Sequence, residues 1–190
     1  MTHEEIVGKV RMILNEHGAE GTLSLSEDHV MLDAYIDSAI PDAVTILAQK
    51  GYRVNVCNET PGRNATGIVI PDDFISLLTV KFENWKKLVT NITEIGSPEY
   101  NMAMNIYTAP KANSPMCYRM GDFLVCLPDG AIEAFEYNAK YVKTDNTETL
   151  NAETKEAAAV CYMTAALVMG MFGDDQGKQR LSDISTNMLQ

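Results

Sequence analysis

Leu47-Ala48-Gln49-Lys50-Gly51-Tyr52-Arg53-Val54-Asn55-Val56-Cys57 is where one hydrophobic period gives way to another. Before Gly51 the apolar residues recur at helical spacing, one face of a helix; after it Tyr52, Val54 and Val56 alternate with Arg53 and Asn55, the two-residue period of a strand. A chain that changes period here is built from a helical part and a β-rich part, and the residues on either side say how much of each.

Towards the N-terminus, Ser26 followed by Glu27 and Asp28 starts a helix that carries Leu32, Tyr35, Ile36, Ala39, Ile40, Val44 and Leu47 on its apolar side. Pro41 lies inside it. A ring nitrogen donates no hydrogen bond and crowds the preceding turn, so a kink is expected between Ser38 and Asp42. Further back, Thr2 and Glu5 have the spacing of a capping box, and Ile6, Val7, Val10, Ile13 and Leu14 follow at helical spacing up to Gly18, which predicts a first helix over residues 3–17.

Towards the C-terminus, strands are expected at 52–57, 66–70, 75–82 and 85–92, then at 116–119, 122–127 and 132–141, joined by turn residues such as Met120-Gly121 and Pro128-Asp129-Gly130. Ser97-Pro98-Glu99 begins a short helix running to about Tyr107, with proline at the first helical position and an acidic residue beside it. Asn151 then caps a helix whose Ala157, Val160, Cys161, Thr164, Ala165, Leu167, Val168 and Met171 leave it apolar nearly all round, so it should be the central, buried helix. Gly173 ends it, and Asp174 or Asp175 caps a last helix with Leu181, Ile184, Met188 and Leu189 on one face. The expectation is an α+β fold in a single domain over 1–190: a bundle of about four helices from 1–50 and 150–190, and a central antiparallel β-rich insertion at 51–149 with a short helix near 98–107.

Composition excludes several functions. Fifteen Lys and Arg against 26 Asp and Glu give a net charge of −11, with a pI near 4.6, a field that repels phosphate backbones and anionic membranes. No specific nucleic acid is expected as a partner; the densest basic cluster is Lys86-Lys87 beside Trp85. The four cysteines stand far apart without a metal-ligand spacing, and are expected as reduced, mostly buried thiols. The N-terminus shows no basic-plus-apolar leader, which argues against secretion. The longest uncharged apolar run, Ala157 to Phe172, is shorter than the roughly 20 residues of a bilayer span, so no membrane partner is expected.

Chemistry finds no sequence support. There is no G-x-S-x-G turn, no HExxH and no phosphate loop. His3, His17 and His29, all on or beside surface-type helical segments, read as solvated or helix-end histidines. Asp72-Asp73 and Asp174-Asp175 stand where turns and caps favour aspartate. No catalytic, cofactor-binding or metal-ligating residue is nominated, and the chain is not expected to be an enzyme.

Ile70-Pro71-Asp72-Asp73-Phe74-Ile75-Ser76-Leu77-Leu78-Thr79-Val80, then Trp85-Lys86-Lys87-Leu88-Val89, Ser97-Pro98-Glu99-Tyr100 and Asn105-Ile106-Tyr107 together resemble a pattern of the head–tail connector (adaptor, head completion) proteins of tailed phages. The second helix and the closing helix pair are similar to that family's as well, and the chain departs from the pattern at Ser76, Asn84, Lys87 and Met104. The resemblance implies a structural virion protein that associates with itself into a ring between the portal protein and a neighbouring tail or connector protein, found in the virion and in the host cytoplasm during assembly. Trp85, Tyr100, Met102 and Met104 are then candidate interface residues, with packing inside the insertion as the other role for Trp85 and Tyr100. The alternative is a monomeric module that binds a protein or small ligand through the β insertion.

Overall fold

The computed structural model describes residues 1–18, 29–143 and 150–190. They form a mixed α+β fold with helices at both ends and a β-rich middle, divided into two compact units: Met1–Asn55 with Lys140–Gln190, and Val56–Ala139.

In the first unit α1 is His3–Gly18, α2 His29–Gln49, α4 Thr154–Met171 and α5 Asp175–Met188. The capping box forms as read: Thr2 N–H donates to Glu5 Oε2 at 2.9 Å and Glu5 N–H to Thr2 Oγ1 at 3.3 Å, so two otherwise orphaned donors are satisfied. The cap expected at Ser26 lies outside the described residues. Helix α2 continues past Pro41 to Gln49. It closes at Gly51, whose φ is +88°; Gly51 N–H donates to Ala48 O at 3.0 Å and Tyr52 N–H to Leu47 O at 3.3 Å, a Schellman closure. Gly173, at φ +80°, closes α4 the same way, with Gly173 N–H on Gly170 O at 3.1 Å and Asp174 N–H on Met169 O at 3.0 Å.

Helix α4 packs against α1, α2 and α5, and is the central helix its composition predicts. Ala157, Ala159, Val160, Cys161, Met163, Thr164, Ala165, Ala166, Val168 and Met169 are all buried on it, facing Ile6, Val10 and Leu14 of α1, Ile36, Ile40 and Leu47 of α2 and Leu181 of α5 in one core. The buried hydroxyls are paired: Thr164 Oγ1 donates to Val160 O and Ser185 Oγ to Ala159 O, both at 2.8 Å, the second tying α5 to α4. One cap differs from expectation. The residue before α4 is Glu153, without a side-chain cap bond; Asn151 lies two residues earlier, in the loop, where its backbone N–H donates to Asn55 Oδ1 at 3.1 Å. Asp174 caps α5, accepting from Gly177 N–H at 2.8 Å.

The second unit holds β1 (Val56–Cys57), β2 (Ile68–Val69), β3 (Phe74–Phe82), α3 (Pro98–Ala103), β4 (Met116–Met120), β5 (Phe123–Leu127) and β6 (Ile132–Ala139). They pair as two antiparallel three-stranded sheets, β1-β6-β3 and β2-β5-β4. Side chains of both meet in one core of Ile68, Leu77, Val80, Phe82, Trp85, Val89, Cys117, Leu124, Cys126, Phe135, Tyr137 and Ala139.

Several elements read from the sequence are shorter than expected and one is missing: the strand expected at 66–70 forms only at Ile68–Val69, and the one expected at 132–141 ends at Ala139. Of 52–57 only Val56–Cys57 pairs, since Tyr52 is still engaged in closing α2. The strand expected at 85–92 does not form. Trp85 N–H turns back to Phe82 O at 2.9 Å and Lys86 N–H goes to Ala112 O at 2.8 Å, so only Val89 pairs, exchanging both bonds with Val80. Helix α3 stops at Ala103 instead of Tyr107: Asn105 Oδ1 takes the Tyr107 N–H at 3.0 Å, an asparagine turn competing with the helix.

Candidate interaction site

The segment from Ile95 to Tyr107 of the second unit gathers exposed apolar side chains with almost no charge. Met102 is 61 % exposed, Ile106 82 % and Tyr107 85 %, with Ile95 and Met104 also exposed; Glu99 is the one charged residue between 95 and 108. Isolated exposed apolar residues are ordinary, but five within 13 residues make this stretch a candidate contact surface.

Its backbone is held by short-range bonds. Ser97 Oγ accepts Tyr100 N–H at 3.1 Å, Asn101 Nδ2 donates to Gly96 O at 3.2 Å, Thr108 Oγ1 donates to Met102 O and Thr108 N–H to Asn105 O at 3.1 Å. A six-residue helix with no buried residue is too short to stand alone. It is seated by Tyr100, whose ring meets Tyr118 of β4 edge-on at 5.1 Å, and by Thr93 N–H, which donates to Cys117 O at 2.7 Å. Burial, and then Tyr100 itself, raise the Tyr118 phenol above its ordinary pKa. Tyr100 meets the sheet through Tyr118, and Met102, Met104, Ile106 and Tyr107 are left to solvent.

The four residues singled out from the sequence therefore separate. Met102 and Met104 lie on the exposed stretch, and Tyr100 is its half-buried anchor. Trp85 is 3 % exposed: it stacks on Phe82 at 4.6 Å and its indole N–H donates to Pro128 O at 2.7 Å, so it packs inside the unit and has little surface to offer a partner. Ile106 and Tyr107, the most exposed of the stretch, were absent from that set. Their signal was present in the sequence, as two large apolar residues after an asparagine that breaks a helix. Of the other methionines, Met163 and Met169 are core and Met120 and Met171 exposed.

The first unit contains a polar cluster that the sequence does not reveal. His3 Nε2 lies 2.9 Å from Asp37 Oδ1, His3 Nδ1 lies 2.7 Å from Tyr141 Oη, and Lys143 Nζ donates to Asp37 Oδ2 at 2.6 Å. His3 opens α1, the helix-end position that is one of the two readings expected, and is held there between partners; those partners are 34 and 138 positions away in the chain, beyond any local pattern. The side chains of His17 and His29 lie outside the described residues. Tyr141 is buried and Asp37 is shared with a lysine, so the chain of bonds ties the start of α1 to α2 and to residues 141–143. A shallow cleft of about 320 Å³ beside it is lined by His3, Glu4, Val7, Gly8, Arg11, Asp33, Asp37 and Lys143, where Arg11 is bound to Asp33 through two nitrogens.

A second cleft, of about 190 Å³, lies beside Arg63, Phe82 and Asp129. The Arg63 guanidinium sits 5.3 Å from the Phe82 ring centroid and bonds Asp129 and Gly130 O through its two terminal nitrogens. Among the described residues no group of three or more His, Cys, Asp or Glu is placed to hold a metal ion, and no helix is long and apolar enough to cross a membrane. No protein-family model matches the chain, and no curated protein matches its sequence.

Proposed function

We propose that this chain is a structural component of a tailed-phage particle: a head–tail connector subunit that associates with copies of itself into a ring between the portal protein and a neighbouring tail or connector protein. It works without catalysis or cofactor, in the virion and, during assembly, in the host cytoplasm. The observation that carries this reading is the Ile95–Tyr107 stretch, a nearly uncharged apolar surface on a protein of net charge −11. Acidic copies approach one another best where charge is absent, and a head-to-tail contact that closes under rotation builds a ring. The sequence resemblance supports the same role, and so does a first unit with a continuous core of its own, which suits a stiff ring subunit. The net negative charge also suits a ring around a DNA channel, since it keeps the polymer from adhering.

The test is mass in solution. The chain is examined by sedimentation and by negative-stain microscopy, alone and with a tailed-phage portal protein from the same genome. Rings or portal-bound complexes are expected, and Met102→Asp combined with Ile106→Asp should abolish them while leaving the unfolding transition in place. A chain that remains monomeric under both conditions, with the paired substitution changing nothing, would favour a monomeric binding module and defeat the proposal.

A further inference from the structure

Cys117 and Cys126 are register partners on β4 and β5. The turn between the strands leaves Met120 opposite Phe123, the pair that closes a two-residue hairpin by hydrogen bonding. Bonded and non-bonded pairs alternate from there, so Arg119–Leu124 and Cys117–Cys126 are pairs whose backbones do not bond each other. The Cys117 carbonyl agrees independently: it accepts the Thr93 N–H at 2.7 Å and is therefore turned away from β5. Non-bonded pairs hold their Cα atoms about 4.5 Å apart with side chains on the same face, within the range of about 4.4–6.8 Å that a disulfide spans. The two Sγ atoms here are 2.8 Å apart, nearer than unbonded sulfurs normally rest, and both thiols are free and buried in the core of the second unit.

We propose that Cys117 and Cys126 form a redox modification site: a dithiol that a small-molecule disulfide, such as oxidised glutathione, converts to an intrachain disulfide joining β4 to β5. One cysteine thiolate attacks a glutathione sulfur, giving a mixed disulfide and releasing one glutathione thiolate. The second cysteine thiolate then attacks the protein sulfur of that mixed disulfide, forming the Cys117–Cys126 bond and expelling the second glutathione. Two electrons pass from the cysteine pair to the oxidant, and the two thiol protons end on the released glutathiones. Access is available because β4 is the last strand of the β2-β5-β4 sheet, held on its outer side by the isolated Thr93 bridge, so local opening of one short strand uncovers both sulfurs. The hydrogen bond to Cys126 and burial hold the Cys117 thiol well above its ordinary pKa, so exchange is slow at neutral pH and quickens as pH rises. The bond would brace the strand whose Tyr118 seats Tyr100, but the site stands on the hairpin geometry and does not depend on the proposed function.

The native full-length chain is incubated with oxidised glutathione at mildly alkaline pH, quenched with acid, alkylated, digested and analysed by mass spectrometry. A peptide linking Cys117 to Cys126 is expected, two hydrogens lighter than the sum of its parts and released by reductant, with Cys57 and Cys161 recovered alkylated. The same link should persist in Cys57→Ala and Cys161→Ala chains. Recovery of both Cys117 and Cys126 as alkylated thiols after oxidation, or their linkage to Cys57, to Cys161 or between chains, would overturn the proposal. The decisive measurement is made on the unaltered chain, so it does not depend on any variant folding.

Discussion

Trp85 is the only tryptophan of the chain, so its emission reports on the β-rich unit alone. Stacked on Phe82 and bonded to Pro128 O, it should emit at short wavelength and resist iodide quenching in the native state; emission typical of an exposed indole would contradict its placement. Trp85→Phe removes a donor and leaves a partly buried carbonyl unpaired, at a cost of about 1–3 kcal/mol in urea unfolding. The buried acids set a second expectation. Burial pushes the Cys161 thiol from 9.0 up to about 11, and burial together with hydrogen bonds to Cys57 and Asp73 raises the Tyr137 phenol. These groups keep their protons longer in the folded chain than in the unfolded one, so above about pH 9 the unfolded chain binds fewer protons and stability falls as pH rises. Denaturation followed between pH 8 and 11 should show that loss. Cys161→Ala should flatten its slope; an unchanged slope would mean that Cys161 titrates alike in both states. At this scale the capping box of Thr2 and Glu5 was legible, because both bonds lie within one turn. The His3–Asp37–Tyr141 tie was not, because only folding brings those residues together.

The two Schellman closures show how elements end. Gly173 has φ +80°, a conformation in which a Cβ is strained, and nothing lies within 4 Å of where a Cβ would be. Gly173→Ala should therefore cost about 1 kcal/mol through the backbone alone, lowering the melting temperature without altering the fold. Gly67 is the opposite case. A Cβ there would stand 2.6 Å from Leu124 O, so Gly67→Ala must push the chain beside β2 away from β5, and about 1–3 kcal/mol is expected from calorimetry or chemical denaturation. Helices and their ends were largely legible because caps, glycines and apolar spacing act within a few residues. The strands were less so. The residues from Trp85 to Ile92 have a strand's composition, yet Trp85 and Lys86 give their N–H groups to Phe82 and Ala112, and whether a β-prone segment joins a sheet depends on which neighbour offers it a free edge.

For the whole molecule, a charge of −11 makes two outcomes measurable. Retention of the chain on double-stranded DNA at physiological salt should be negligible. The self-association proposed for the Ile95–Tyr107 stretch should strengthen as salt is raised from low ionic strength, because screening over a Debye length of about 10 Å at 0.1 M weakens repulsion between acidic copies. Association that weakened with salt would point to an ion-paired interface in place of an apolar one. By itself the sequence determined the α+β class, the helices at both ends, the buried central helix α4 and the acidic field, since these follow from period, capping and composition, which are local or additive. The tertiary structure decided which β-prone segments pair, that Trp85 is core while Ile106 and Tyr107 face solvent, and that Cys117 lies against Cys126. Each of these depends on register and burial, and a residue's type cannot specify which distant backbone will meet it.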